Sequence, residues 1–208
     1  MGYVLIEWKK LKSYFPEFQE MVAMLEQQSL SLCSKVWPGM TYGRFNPLGT
    51  TQYGRTTFLP ELFMDQNNDV LDDAHSPTWW GVNSFKQYFT STSPTAVAIP
   101  GWKQILQGAG AGGITPEDVI MNLIGFAILD ESILFSKLRL EIGDIVHVKM
   151  DCEEIHMYEQ PAIIFEEGYT IPEETYLRLR GFFEASGFQR VVPLGFMLYR
   201  RKDTLVHI

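Results

Sequence analysis

The chain has 208 residues, with an apolar fraction of 46% and a charged fraction of 20%, which suits a folded protein with a core and excludes a disordered chain. Its formal net charge of -8 argues against a general nucleic-acid-binding protein, because phosphate contacts need clustered Lys and Arg. Its 2 cysteines are too few for a disulfide-stapled secreted module, which favours a reduced, intracellular environment.

The sequence predicts neither a signal peptide nor a membrane span. Lys9, Lys10 and Lys12 lie near the N-terminus, but no apolar segment follows them. No stretch reaches the roughly 18 apolar residues that a membrane-spanning helix needs.

Residues 1–36 are predicted to form an amphipathic helix, because apolar side chains recur at helical spacing. Pro16 suits the first helical position, and Pro38 and Gly39 suit the end of the helix. Such a stripe indicates either a helix packed on its own domain or one that docks on a partner or on another copy of the chain. The stripe consists of Phe15, Phe18, Val22, Leu25, Ser29, Leu32 and Val36.

Residues 37–80 show no hydrophobic periodicity and are punctuated by Gly and Pro. Loops of this length are uncommon in compact domains and are usually functional or linking. The aromatic side chains need something to pack against, so we expect an extended arm that lies across a neighbouring subunit. These aromatics are Tyr42, Phe45, Tyr53, Phe58 and Phe63.

Closely spaced strand patterns begin at Thr78 and continue toward the C-terminus. The segments between them are too short for crossover helices, which predicts antiparallel pairing. Tight turns are predicted at Gly143-Asp144 and Ser186-Gly187. A helix is the alternative for residues 119–129, because a good helix start precedes them. The predicted strands are 95–99, 119–129, 137–142, 145–150, 161–165, 175–183 and 190–199.

The predicted fold class is therefore mainly β, an antiparallel jelly roll or β-sandwich. We expect this β-domain to occupy residues 78–208. Residues 1–77 are expected to carry the N-terminal α-helix and the extended arm.

His147, Glu153 and His156 belong to the cluster of residue types that bind metals. A cupin holds a metal with His and Glu inside a β-barrel, so these residues raise the alternative of a metal-dependent β-barrel enzyme. The paired His-x-His of a cupin is missing, however, because Val148 and Lys149 follow His147. We therefore favour a solvated polar face, and we predict no catalytic residue, metal or cofactor. No Gly-x-Ser-x-Gly motif occurs either.

The charges are polarised along the C-terminal part of the chain. Carboxylates between residues 151 and 174, interpreted as acidic loops, lack any neighbouring Lys or Arg, and basic strands follow. This pattern favours head-to-tail complementarity between copies, or a basic surface that faces packaged nucleic acid. The alternative is that the charges pair across adjacent strands of one sheet. The basic residues are Arg178, Arg180, Arg190, Arg200, Arg201 and Lys202.

The run EEGYTIPEETYLRLRG at 166–181 precedes VVPLGFMLY at 191–199. Together they resemble the closing strands of jelly-roll proteins found in virus particles, over roughly the last 50 residues. The resemblance implies a virion structural protein, located in the virion and assembled in the host cytoplasm. Its implied partners are copies of itself and other virion proteins. Lys and Arg are few near the N-terminus, so specific binding of nucleic acid is not implied.

The leading hypothesis is a non-enzymatic protein that self-assembles into a capsid or similar particle through its N-terminal arm and the edges of its β-domain. A carbohydrate- or receptor-binding module, with Trp79, Trp80 and Trp102 as stacking surfaces, is a further alternative. The candidate interface residues are Phe15, Phe18, Val22, Leu25, Tyr42, Phe45, Tyr53 and Phe58.

Overall fold

A computed structural model describes residues 2–7, 10, 15–43, 52–57, 89–92, 100–106, 115, 117–128, 130–151, 153–185 and 188–200. Across these ranges the chain is mainly β, with two sheets and one α-helix. A 3-10 turn, Glu153–Met157, follows the eighth strand. The elements are β1 (Tyr3–Glu7), α1 (Phe15–Val36), β2 (Thr41–Tyr42), β3 (Gln52–Thr57), β4 (Phe89–Thr92), β5 (Gly101–Leu106), β6 (Val119–Ile128), β7 (Phe135–Ile142), β8 (Ile145–Asp151), β9 (Pro161–Ile171), β10 (Leu177–Phe183) and β11 (Phe188–Arg200).

The strand pairs are nested along the chain. Within the described residues, a 7-stranded sheet has the order β1-β9-β6-β11-β3-β2, with β4 also on β11, and a 4-stranded sheet has the order β5-β10-β7-β8. Antiparallel pairs join β7 to β8, β6 to β9, β5 to β10 and β4 to β11. Each of these pairs encloses the previous one along the chain, and successive pairs belong alternately to the 4-stranded and the 7-stranded sheet.

The two sheets pack face to face around the main apolar core. Phe165 is fully buried in this core, and its ring makes edge-to-face contacts with those of Phe126 and Tyr169 at centroid distances of 5.9 and 5.2 Å. Phe135 and Phe183 from the 4-stranded sheet are fully buried in the same core. The alternation of β7 and β10 thus turns one face of that sheet inward and leaves the charged face outside.

Helix α1 covers the opposite face of the 7-stranded sheet. Leu25 packs there with Ile124 and Ile164, and Cys33 and Trp37 pack beside Ile120. Strand β6 is therefore buried on both faces, which explains why its sequence is almost entirely apolar. The architecture has three layers, in the order helix, 7-stranded sheet and 4-stranded sheet.

A bulge in β9 lets the helix approach the sheet closely. The register between β6 and β9 shifts between Leu123 and Gly125, so that Glu166 and Glu167 lie outside the pairing of these two strands. The following Gly168 has a φ of +68°, and a Cβ there would lie 2.7 Å from Leu25 Cδ1. Glycine is required at this position by both the backbone conformation and the contact with α1.

The structure confirms the strand interpretation of residues 119–128, so the helical alternative is wrong. The turn at Gly143-Asp144 is also confirmed, and Gly143 has the left-handed φ of +61° that such turns favour. The interpretation of Glu166 and Glu167 as part of an acidic loop is wrong, because both lie in β9.

Two expectations about the N-terminal part are also wrong. Residues 3–7 form strand β1, which pairs with β9, rather than a helix. Strands do not begin only at Thr78, because β2 and β3 already belong to the 7-stranded sheet. The predicted domain boundary at 77/78, the strand 95–99 and the turn at Ser186-Gly187 lie outside the described residues.

Candidate functional site

The three residues of the metal hypothesis do not come together as a ligand set. His147 is exposed on β8, and its ring makes an edge-to-face contact with that of Tyr169 at a centroid distance of 5.4 Å. Glu153 and His156 are exposed on the 3-10 turn. In the described part of the chain, no group of three or more His, Cys, Asp or Glu side chains is placed to hold a metal ion.

The candidate interface residues of α1 are used within the chain itself. Leu25 has no exposed surface, and Phe18 and Val22 are half-buried against the same apolar cluster. Tyr53 on β3 is also buried, with its ring 5.6 Å from that of Trp37. The described contacts thus fit a helix packed on its own domain.

Of the other candidate interface residues, only Tyr42 has a described side chain. Tyr42 is half-buried, and its ring lies 5.7 Å from that of Tyr53. The side chain of Phe15 is not among the described residues. Phe45, Phe58, Trp79 and Trp80 also lie outside the described ranges.

The outer face of the 4-stranded sheet concentrates positive charge. Register places Arg180 opposite Arg139 on β7, and Lys149 of β8 opposite Arg139 on the other side. Arg178 lies opposite Glu141. We call this surface the basic face, and it consists of Lys137, Arg139, Lys149, Arg178 and Arg180.

Glu141 lies at the centre of the basic face and is only 7% exposed. Its Oε1 accepts a hydrogen bond from Arg139 Nε at 2.7 Å, and the Nη2 of the same arginine also contacts it. Arg178 Nη1 lies 3.7 Å from Oε2, and Arg180 Nε lies 4.0 Å from Oε1. One carboxylate therefore neutralises only part of the charge of three guanidinium groups.

The arginines have more donors than Glu141 can accept. A guanidinium carries five N–H donors, whereas a carboxylate has about four lone-pair sites. Among the described residues, the buried Nε atoms of Arg178 and Arg180 have no hydrogen-bond partner. The side chains of Arg178 and Arg180 are 27% and 30% exposed, so their charge, which Glu141 only partly neutralises, can attract a further oxyanion such as a carboxylate or a phosphate.

Aromatic side chains border the basic face. Trp102 on β5 is 43% exposed and packs edge-on against Phe182 at a centroid distance of 5.7 Å. Arg139 Cζ lies 5.8 Å from the centroid of the Trp102 ring, and Arg178 Cζ lies 5.1 Å from that of Tyr176. The surface therefore combines cations with flat apolar groups, a composition found at binding hot spots.

A second exposed surface has the opposite charge. Ile155 anchors the 3-10 turn in the main core, which leaves the neighbouring side chains pointing away from it. Met157 is 83% exposed, and Glu153, Glu154 and Glu159 are exposed around it in the sequence. We call these four residues the acidic tip.

A polar cluster at the start of β6 is structural. Asp118, with a φ of 70°, pairs with Arg200 of β11, and its N–H donates to Glu173 Oε2 at 2.8 Å. Trp37 Nε1 donates to the same oxygen at 3.4 Å, and Arg200 Cζ lies 5.4 Å from the centroid of the Trp37 ring. These internal contacts tie the end of α1 to β6 and β11.

Cys33 provides a test of the packing under α1. Burial raises the pKa of its thiol from 9.0 to about 12. Because the folded pKa lies above the unfolded one, the stabilisation is complete below pH 9 and is lost as the pH rises toward 12. Between these two pH values, we expect the free energy of unfolding of the wild type to fall with pH more steeply than that of Cys33→Ala. The expected difference between the two slopes is about 1.4 kcal/mol per pH unit. Urea titrations of both chains measure this, and parallel pH profiles would contradict the burial of the thiol.

Of the described helices, none is long and apolar enough to cross a membrane. Comparison with protein-family models, with curated proteins and with solved structures finds no match to this chain. The two charged surfaces and the exposed apolar side chains are the candidate binding features of the described residues.

Proposed function

We propose that this chain is a structural protein whose copies assemble into a virion capsid or a similar particle. The observation that carries the proposal is the exposure of large apolar side chains on the outermost strand of the 4-stranded sheet and just beyond it. Ile145 is 64% exposed and Val146 41% exposed, in addition to Met157 on the acidic tip. Exposed apolar groups at a sheet edge favour contact with another chain.

The jelly roll is the finer fold assignment within this proposal. Its support is the nested antiparallel pairing, in which β7–β8, β6–β9, β5–β10 and β4–β11 alternate between sheets. A long hairpin rolled into two sheets generates this pattern. Viral capsid proteins, lectins and cupins all use the jelly roll. The fold is therefore consistent with the proposed function but does not distinguish it from those of the other classes.

Sedimentation velocity and electron microscopy of the purified chain test the proposal. We expect concentration-dependent assembly, and we expect Ile145→Glu with Met157→Glu to raise the concentration needed by about tenfold or more. The reason is that two carboxylates replace apolar groups in the contact.

Met24→Glu is the matched control, because Met24 is an exposed apolar residue on α1, in the layer farthest from β8. It should leave assembly unchanged. A wild-type chain that stays monomeric at high concentration contradicts the proposal. Equal losses in the two variants would mean that β8 and the tip are not the specific contact.

Exposure of Trp102 beside Phe182 favours a second candidate function, a carbohydrate- or receptor-binding module. An exposed aromatic ring provides a stacking surface for the apolar face of a sugar. Under this alternative, Trp102→Ala abolishes binding to an immobilised glycan panel while the chain remains folded. If the wild type binds no glycan on the panel, this candidate is wrong.

A further inference from the structure

We propose that the acidic tip of one copy docks on the basic face of the next, so that the particle grows through head-to-tail contacts. This inference rests on the proposed function, because it specifies which surfaces meet when copies assemble. The two surfaces differ in residues and position, so the contact is heterologous and leads to a closed ring or to an open chain of copies.

Charge complementarity is the first argument for this contact. Glu141 supplies one negative charge to three arginines, and the side chains of Arg178 and Arg180 stay 27% and 30% exposed, so the basic face can attract further carboxylates. The acidic tip supplies exposed carboxylates at Glu153 and Glu154, and residues 151–177 contain no Lys or Arg. Arg–carboxylate contacts between the copies would set their register and orientation.

Apolar complementarity is the second argument. Met157 is the most exposed large apolar side chain in the described structure, and Trp102 is an exposed ring at the border of the basic face. A methionine thioether packs favourably against an aromatic ring. Burial of Met157 on Trp102 would remove both from water within one contact that charge pairs surround.

The position of the 3-10 turn opposes an internal version of this contact. Ile155 holds the turn in the main core, and the turn begins beyond the end of β8, the outermost strand of the sheet. The turn lies near the Lys137 end of β7, where Lys137 pairs with Asp151 and is close to Glu153. Glu141 lies at the other end of β7, roughly 13 Å farther along the strand. A second copy is therefore required to bring the tip onto the centre of the face.

A second copy also fits the face better than a nucleic acid does. A net charge of -8 opposes a long polyanion along its whole length, whereas between two copies the repulsion is offset where the acidic tip meets the basic face. A nucleic acid would also leave Met157 without an apolar partner. Binding of nucleic acid is kept as one outcome of the test.

Charge reversal in two matched variants tests the contact. The face variant carries Lys149→Glu and Arg180→Glu, which spares Arg139, the closest partner of Glu141. The tip variant carries Glu153→Arg and Glu154→Arg. We expect each variant alone to need about tenfold more protein to assemble, and the equimolar mixture to assemble like the wild type. The mixture recovers because the reversed, acidic face of the face variant binds the reversed, basic tip of the tip variant. The native acidic tip of the face variant and the native basic face of the tip variant form the other contact.

Lys35→Glu on α1 is the control for a charge reversal elsewhere on the chain, with half the charge change of the face variant, since Lys35 is exposed far from the basic face. It should assemble like the wild type. Circular dichroism establishes that every variant is folded. Should the face variant fail to fold, Met157→Ala and Trp102→Ala replace the two charge-reversal variants. We expect the double variant to raise the protein concentration needed for assembly by less than the product of the two single increases, because the two residues contact each other.

The outcomes separate this inference from the proposed function. If the wild type assembles but the mixture of variants does not recover, the head-to-tail contact is wrong and self-assembly stands. If the wild type does not assemble, the proposed function itself fails. Salt-sensitive binding of a labelled 20-nucleotide single strand by the wild type, lost in the face variant, would overturn the inference in favour of a nucleic-acid surface.

Discussion

Replacement of Gly125 by alanine is expected to lower the free energy of unfolding by about 3 kcal/mol. Gly125 lies in β6 where the register shifts against both β9 and β11. A Cβ at this position would lie 2.1 Å from the backbone oxygen of Ile163 and 3.0 Å from Cα of Ile164. Both atoms belong to the backbone of β9, so the clash cannot be relieved by rotation of a side chain. The two central strands would have to separate.

Gly39→Ala is the matched control for this prediction. Gly39 follows α1 with a φ of +80°, and a Cβ there would meet nothing within 4 Å. The cost is then only that of a left-handed backbone, about 1 kcal/mol. Urea unfolding followed by circular dichroism compares the two variants with the wild type. Equal losses of stability would show that β6 and β9 do not approach each other closely at Gly125.

Removal of the central carboxylate of the basic face has the second largest expected effect. Glu141→Ala should lower the free energy of unfolding by about 2–3 kcal/mol, because Arg139, Arg178 and Arg180 then repel one another without compensation. The cost stays below that of a fully buried pair, since the guanidinium groups are partly exposed. We expect high salt to recover part of the loss through screening.

Glu167→Ala is the control for Glu141, since it removes an exposed carboxylate from another strand. It should change stability by no more than about 0.5 kcal/mol. Thermal unfolding at low and high salt measures both variants. A loss in Glu141→Ala that matches the control, or that does not depend on salt, would contradict the central role of Glu141.

Much of the strand structure was predictable from local patterns. Alternation in β7 and β10 identified strands with one buried face, because successive side chains point to opposite sides of a sheet. Residues 119–129 were also interpreted as a strand, with a helix as the alternative, and the strand is confirmed for residues 119–128. By contrast, β1 was assigned to the helix, since five residues with a single buried position carry too little pattern to identify a strand.

The candidate site was only partly predictable. Trp102 was singled out as a stacking residue, and the acidic and basic segments were recognised. The ring of arginines around Glu141 was missed, although Arg139 and Glu141 alternate with buried residues in β7. Arg178 lies 37 positions from Glu141 in the numbering and meets it only through the pairing of β10 with β7.

The sequence by itself determined the type and the apolar face of the elements with a clear alternating pattern, such as β7 and β10, because such a pattern depends on neighbours along the chain. Only the tertiary structure decided which element covers each face. It placed the α1 stripe on the sheet of its own chain, and it gathered Arg178 and Arg180 around Glu141. The physical reason is that an apolar stripe or a charge is satisfied by any complementary surface, and long-range strand pairing selects one of them.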